Sequence, residues 1–145
     1  MMNAIPVGIK GSFSMIVAPE HLASRFKDPT LPPVLATPLM ILFMENAALD
    51  AIRKYLPAGE SALGTLVNIR HLADTPAGQR VTAEAVVTGV EGRRIVFAVT
   101  ARDETQEIGS GIHERALVDL RRLTQRLDDK RNQRAGLPKG RDRAT

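Results

Sequence analysis

The chain carries one long apolar run, Leu39-Met40-Ile41-Leu42-Phe43-Met44-Glu45-Asn46-Ala47-Ala48-Leu49, interrupted only by Glu45 and Asn46. Thr37-Pro38 stands just before it and Pro57-Ala58-Gly59 just after. A hydroxyl residue followed by proline reads as an N-cap and first helical position, so a helix is expected from Pro38 to about Tyr55. Apolar residues fall on nearly all of its faces, which predicts a largely buried helix. The run is too short and too interrupted to span a membrane. On a helix, Glu45 has Ile41, Leu42, Leu49 and Ile52 around it, in the middle of an apolar stripe. A carboxylate in such a place is paired, protonated or employed in chemistry, because burying it alone is costly.

The remaining composition narrows the classes. At 145 residues the chain suits one domain with a moderate core. Cysteine is absent, which excludes disulfides, thiolate metal sites and a cysteine nucleophile. Four Phe, one Tyr and no Trp are few for a nucleic-acid reader that works by stacking. The net charge of +4 is uneven: residues 1–120 hold 11 Lys/Arg against 13 Asp/Glu, and residues 121–145 hold 9 against 3. The basic character thus belongs to a C-terminal segment, read as a solvated helix and a disordered end, and no nucleic-acid partner is expected. Met1 to Gly11 lacks the basic start and apolar core of a signal peptide, so a cytoplasmic protein is expected, with no membrane association.

Around the helix the pattern is that of strands. Ser12 to Ala18 reads as a first strand, followed by a loop with Pro29, Pro32 and Pro33. Leu63 to Leu72 and Val81 to Val90 are strand-like, and Glu91-Gly92 marks a tight hairpin turn. Strands are also expected from Ile95 to Arg102 and from Glu107 to Leu120. A charged helix follows to Arg134, and Ala135 to Thr145 is expected to be disordered. The expected domains are therefore 1–120, and a basic helix with a tail at 121–145. A strand, a long buried helix and four antiparallel strands make an α+β layer arrangement, as in the hotdog fold, where the sheet wraps a central helix.

Few residues can carry chemistry. His21 falls in a loop and reads as solvated. His71 closes an apolar strand just before a turn, where both a catalytic role and a half-buried, backbone-satisfied histidine are open readings. His113 and Arg115 share one face of their strand, with Glu114 on the other. Thr37 is explained equally well by helix capping. Thr37 and Glu45 are eight residues apart, roughly 12 Å of helix rise, so they do not meet within one helix. Either a substrate spans them or a second subunit supplies the missing group. No histidine pair has metal-ligand spacing, so no metal site is expected. Gly109-Ser110-Gly111 is no dinucleotide fingerprint and marks a bulge or close strand contact.

Several segments together resemble the fluoroacetyl-CoA thioesterase family of hotdog proteins. They are Ala36-Thr37-Pro38 with Met44-Glu45, Ser61-Ala62-Leu63-Gly64-Thr65, His71 with Ala73-Asp74-Thr75-Pro76, Val90-Glu91-Gly92-Arg93-Arg94, and Glu107-Ile108-Gly109-Ser110-Gly111 with His113-Glu114-Arg115. The resemblance runs from Leu35 to Leu120. It implies that Thr37, Glu45 and His71 are the catalytic threonine, glutamate and histidine. It further implies that Gly64 and Arg115 lie near the thioester or the CoA portion, and that the protein is a homodimer with active sites at the subunit interface.

The expected activity is hydrolysis of a short-chain acyl-CoA, with CoA thioester as substrate and no cofactor. Arg115 is open to two readings, a CoA-phosphate ligand or an interface ion pair. The specialised fluoroacetyl-CoA enzyme carries aromatic residues in the lid before its threonine, whereas residues 28–36 here hold none, which argues against fluoroacetyl selectivity. Two alternatives belong to other classes: a hotdog hydratase or dehydratase, and a non-catalytic acyl-CoA or small-molecule binding protein.

Overall fold

Strict alternation of inward and outward residues decides the sheet's faces. Val81, Ala83, Ala85 and Val87 point inward from β3 (Arg80–Glu91), and Ile95, Phe97, Val99 and Ala101 from β4 (Arg94–Arg102). The computed structural model describes residues 4–26 and 28–135. In it these two strands lie beside β1 (Lys10–Ile16), β2 (Glu60–His71) and β5 (Glu107–Asp119) in one antiparallel sheet, ordered β1-β3-β4-β5-β2. A single turn, α1 (Ala23–Phe26), and the long helix α2 (Thr37–Ile52) fall between β1 and β2. The curved sheet with its long helix is the expected hotdog arrangement. The hairpin joining β3 to β4 pairs Glu91 with Arg94 and turns through Gly92, whose φ of +61° suits a residue without Cβ.

The helix is seated off-centre. It packs chiefly on β1 and β3, with little contact to β2. Small residues make this possible. A Cβ on Gly11 would lie 2.3 Å from both the Ala47 carbonyl oxygen and the Ala51 nitrogen, so only glycine lets β1 touch the helix backbone. Ser12 N–H also donates to Asp50 at 3.0 Å, tying the same strand to the helix's last turns. Met40, Phe43, Met44, Ala47, Ala48, Ala51 and Ile52 form the buried side of α2.

One expectation about the helix needs correction. It ends at Ile52, and Arg53–Tyr55 continue as a 3₁₀ turn. The helix is largely buried, as expected, although Leu42 is 43% exposed. Apolar exposure continues on β2, the edge strand, where Leu63, Leu66 and Val67 are all at least 40% exposed. An unpaired edge carrying leucine and valine is a template for strand addition.

The Gly109-Ser110-Gly111 segment is a close contact, as expected. A Cβ on Gly109 would overlap the Met40 side chain, and one on Gly111 would overlap the backbone of Asn68. The basic helix α3 (Leu120–Ala135) follows β5, anchored where Leu120 N–H donates to the Gly59 carbonyl. The expected disorder of the tail concerns residues 136–145, which lie outside the described residues. Among the described residues no helix is long and apolar enough to cross a membrane.

The Gly11 contact yields a first prediction. Gly11→Ala should lower stability by about 2 kcal/mol, because the helix must lift from β1 to admit a methyl group. A fall in the urea midpoint at unchanged slope would show this; an unchanged midpoint would mean the helix is not seated as described.

Candidate active site

Thr37 opens α2, yet its hydroxyl does not cap the helix. The cap position falls on Ala36 and no side chain bonds the first-turn amides. Instead Thr37 Oγ1 lies 2.7 Å from His71 Nδ1, at the end of β2. The capping explanation is thereby replaced: the hydroxyl is committed to the histidine. The other ring nitrogen of His71, Nε2, is buried and has no hydrogen-bond partner among the described residues.

Two backbone segments bring Thr37 to His71. Residues 34–36 are held on one side by Leu22 and Ala23 and on the other by the loop after β2. Ala36 N–H donates to His21 O and Ala23 N–H to Val34 O, both at 2.8 Å, while Leu35 N–H donates to Thr75 O, also at 2.8 Å. Val34 further bridges Pro76. His21 takes part in this frame, contrary to the solvated reading. It is buried, accepts from Ala18 N–H at Nδ1, and meets the Phe43 ring edge-on at 5.5 Å. The loop after β2 is pinned in turn by Thr75, which is fully buried and donates to Asp103 Oδ2 at 2.9 Å. The other carboxylate oxygen of Asp103 accepts from the Thr105 and Gln106 amides and the Thr105 hydroxyl.

Glu45 sits two turns further along α2, on the side that faces β2 and β5. Its carboxylate is 32% exposed and lies 3.6 Å from the guanidinium of Arg115, whose side chain is 7% exposed. The expected apolar setting is thus relieved by an ion pair within the chain. Gly64 leaves room for it, since a Cβ there would stand 2.8 Å from Glu45 Oε2. Arg115 Nη2 also donates to the Ala62 carbonyl at 2.7 Å. Gly64, Ala62 and Arg115 come together because Gly64 pairs with Arg115 and Ala62 with Leu117 in the β2–β5 ladder.

One chain therefore holds two separate clusters, Thr37 with His71 and Glu45 with Gly64 and Arg115. Gly64 and His71 are seven residues apart on β2, roughly 20 Å of strand, so His71 does not reach the Glu45 of its own chain. A concavity of about 370 Å³ lined by Leu49, Arg53, Leu56, Glu60 and Ser61 lies beyond Glu45 and includes none of the three catalytic candidates.

Two features escaped sequence reasoning. Arg115 as the partner of Glu45 is a helix-to-strand contact between residues 70 positions apart, with no local signal. The Thr75–Asp103 bond spans two loops; only the Asp103-Glu104-Thr105 turn chemistry hinted at it.

Known proteins share both the sequence and the fold of this chain. The profile of the fluoroacetyl-CoA-specific thioesterases matches residues 17–121. The chain belongs to this family. The fluoroacetyl-CoA thioesterase of Streptantibioticus cattleyicolor is 38% identical over 136 residues, covering 90% of this chain and 97% of that protein. A solved structure of a fluoroacetyl-CoA thioesterase superposes with a TM-score of 0.82 at 34% identity, covering 94% of this chain and all of the other. A thioesterase superfamily member from Thermus thermophilus gives the same TM-score at 33% identity, covering 90% of this chain and 98% of its own. Within the fluoroacetyl-CoA-specific thioesterase family, then, the hotdog sheet and its helix carry the two clusters described above.

The Thr75–Asp103 clamp predicts a pH-dependent stability. Burial pushes the Asp103 carboxyl up, but the bonds from Thr105, Thr75 and Gln106 outweigh it and hold the group below its usual range. Because the folded-state value is depressed, the stabilisation is present above the unfolded value of about 4 and is lost as pH falls through the folded one. Thr75→Val should cost about 2 kcal/mol at pH 7. In urea titrations that deficit should shrink towards zero at strongly acidic pH; a deficit independent of pH would count against the clamp.

Proposed function

We propose that the chain hydrolyses short-chain acyl-CoA thioesters, at sites completed by two copies of the chain. The supporting observation is the split itself. His71 has a buried Nε2 with no hydrogen-bond partner among the described residues, Glu45 has a partly exposed side chain, and the two belong to clusters too far apart to meet within one chain. An antiparallel pairing of the exposed β2 edge with a second copy, centred near Asn68, would lay the His71 end of one strand beside Gly64 of the other. The exposed Leu42, Leu63, Leu66 and Val67 supply apolar surface for such an interface.

At the composite site, Glu45 attacks the thioester carbonyl, or draws a proton from a water that attacks it. Arg115 pairs with the carboxylate and orients it towards the thioester carbonyl, and the missing side chain at Gly64 gives the carboxylate its room. The C–S bond breaks, and the imidazole of the partner copy delivers a proton to the departing CoA thiolate. Where Glu45 itself attacks, water then hydrolyses the mixed anhydride, releasing the carboxylic acid and Glu45, and on either route the proton lost by water returns to the imidazole. Thr37 holds that ring by Nδ1, which leaves Nε2 as the nitrogen available for proton transfer. The first amides of α2, which no side chain caps, would stabilise the oxyanion. The residues present supply this chemistry without a cofactor, and a CoA substrate suits a cytoplasmic protein. Without aromatic residues in segment 28–36, turnover should extend to acetyl- and propionyl-CoA instead of being confined to the fluoroacetyl ester.

Release of free CoA thiol over an acyl-CoA panel tests the reaction directly. Glu45→Gln and His71→Ala should each lower kcat by about 10²-fold or more. An altered acyl chain with the thioester intact would reveal a hydratase, and tight binding without turnover a binding protein.

Complementation tests the shared site. Neither Glu45→Gln nor His71→Ala should be active alone, yet after refolding together at equal concentration they should regain about a quarter of wild-type activity. Half of the random dimers then carry one intact site. Recovery of no activity would mean that each site lies within one chain.

A further inference from the structure

His113 is buried and stands outside the three-residue mechanism, yet every polar atom of its ring is engaged. Its Nδ1 lies 2.9 Å from the carbonyl oxygen of Leu66, an acceptor only, so Nδ1 carries the proton. Nε2 is then a bare lone pair, and Arg115 Nη1 lies 3.1 Å from it. The same Nη1 is the atom nearest Glu45, at 3.6 Å. Leu66 is the residue at which the β2–β5 register resumes after the irregularity following Gly64. Phe97 stacks on the ring at 5.9 Å and closes its other side.

We propose that His113 is a positioning residue: locked as the neutral Nδ1–H tautomer by the Leu66 carbonyl, it fixes the roll of the Arg115 guanidinium and thereby the Glu45 carboxylate. The Ala62 carbonyl alone holds only Nη2, leaving the plane free to turn about that bond. The His113 lone pair supplies the second point, and two points define the orientation of a planar group. Burial, countered by the Leu66 bond and reinforced by Arg115, keeps the ring below the ordinary histidine range, in agreement with a neutral acceptor; Glu45 from α2 and Glu114 on the ring's own strand act the other way. This inference deepens the thioesterase reading at its Glu45 cluster.

Two substitutions separate positioning from packing. Glutamine places an acceptor oxygen near the position of Nε2, whereas leucine fills the space with none. In the full chain, His113→Gln should keep kcat within about threefold of wild type, and His113→Leu should lower it about tenfold, with KM little changed in either. In an Arg115→Ala background, His113→Leu should cost less than about twofold more, because the group it acts through is gone. Equal losses for leucine and glutamine, or the same leucine penalty in both backgrounds, would overturn the proposal.

Nitrogen-15 NMR tests the lock without any turnover, so it stands even if no acyl-CoA is hydrolysed. His113 should show a protonated Nδ1 and a bare Nε2, and rotation of the Arg115 guanidinium should be slow in wild type and His113→Gln but fast in His113→Leu. A proton on Nε2 in the wild-type chain, or rotation unaffected by leucine, would overturn the lock even were His113→Leu too unstable for kinetics.

Discussion

The off-centre seat of α2 is the constraint on which the rest of the structure depends. Gly11, Ala47 and Ala51 let the helix backbone approach β1, and the alanines at 83 and 85 keep β3 low beneath it. Had these positions carried larger side chains, the helix would stand away from this half of the sheet. Seated as it is, its other flank carries Glu45 towards β5 and β2. There Ala62, Ile108 and Leu117 belong to the apolar core, while Arg115, His113 and Gly64 form the polar surroundings of the carboxylate. Burial on one flank thus leaves functional chemistry on the other.

The two clusters are supported in different ways. Thr37 and His71 are aligned by backbone: bridges and amide bonds among residues 21–23, 34–36 and 75–76, anchored by the Thr75–Asp103 bond. Glu45 is aligned by side chains: Arg115, held by a carbonyl and by an imidazole that is itself held by another carbonyl. The first support is rigid because each link is a short hydrogen bond within a frame of loops. The second is electrostatic as well as geometric, since a buried guanidinium left without its carboxylate would be costly.

Much of the fold was legible in the chain. The strand-like runs Val81 to Val90 and Ile95 to Arg102 foretold β3 and β4, Gly92 the hairpin, and the Thr-Pro start the beginning of α2. Its apolar residues also foretold that α2 is largely buried; Leu42 is exposed all the same, because hydropathy reports how apolar a side chain is and not what covers it. The reading of His21 failed. A loop histidine looks solvated until Phe43 and the Ala18 amide close around it, contacts that local sequence does not encode.

For the site, the sequence by itself determined which groups are available: one carboxylate inside an apolar helix, a histidine closing a strand, a threonine at a helix start, and a glycine and an arginine on two strands. These follow from residue type and spacing, which local physics can read. Only the tertiary structure decided their partners. Thr37 went to His71 and not to the helix cap, Glu45 went to Arg115 and not to His71, and His113 became the hinge pin of the guanidinium. The reason is that strand register and helix seating are set by packing summed over the whole core, and a hydrogen bond across 34 or 70 residues exists only once that packing is complete.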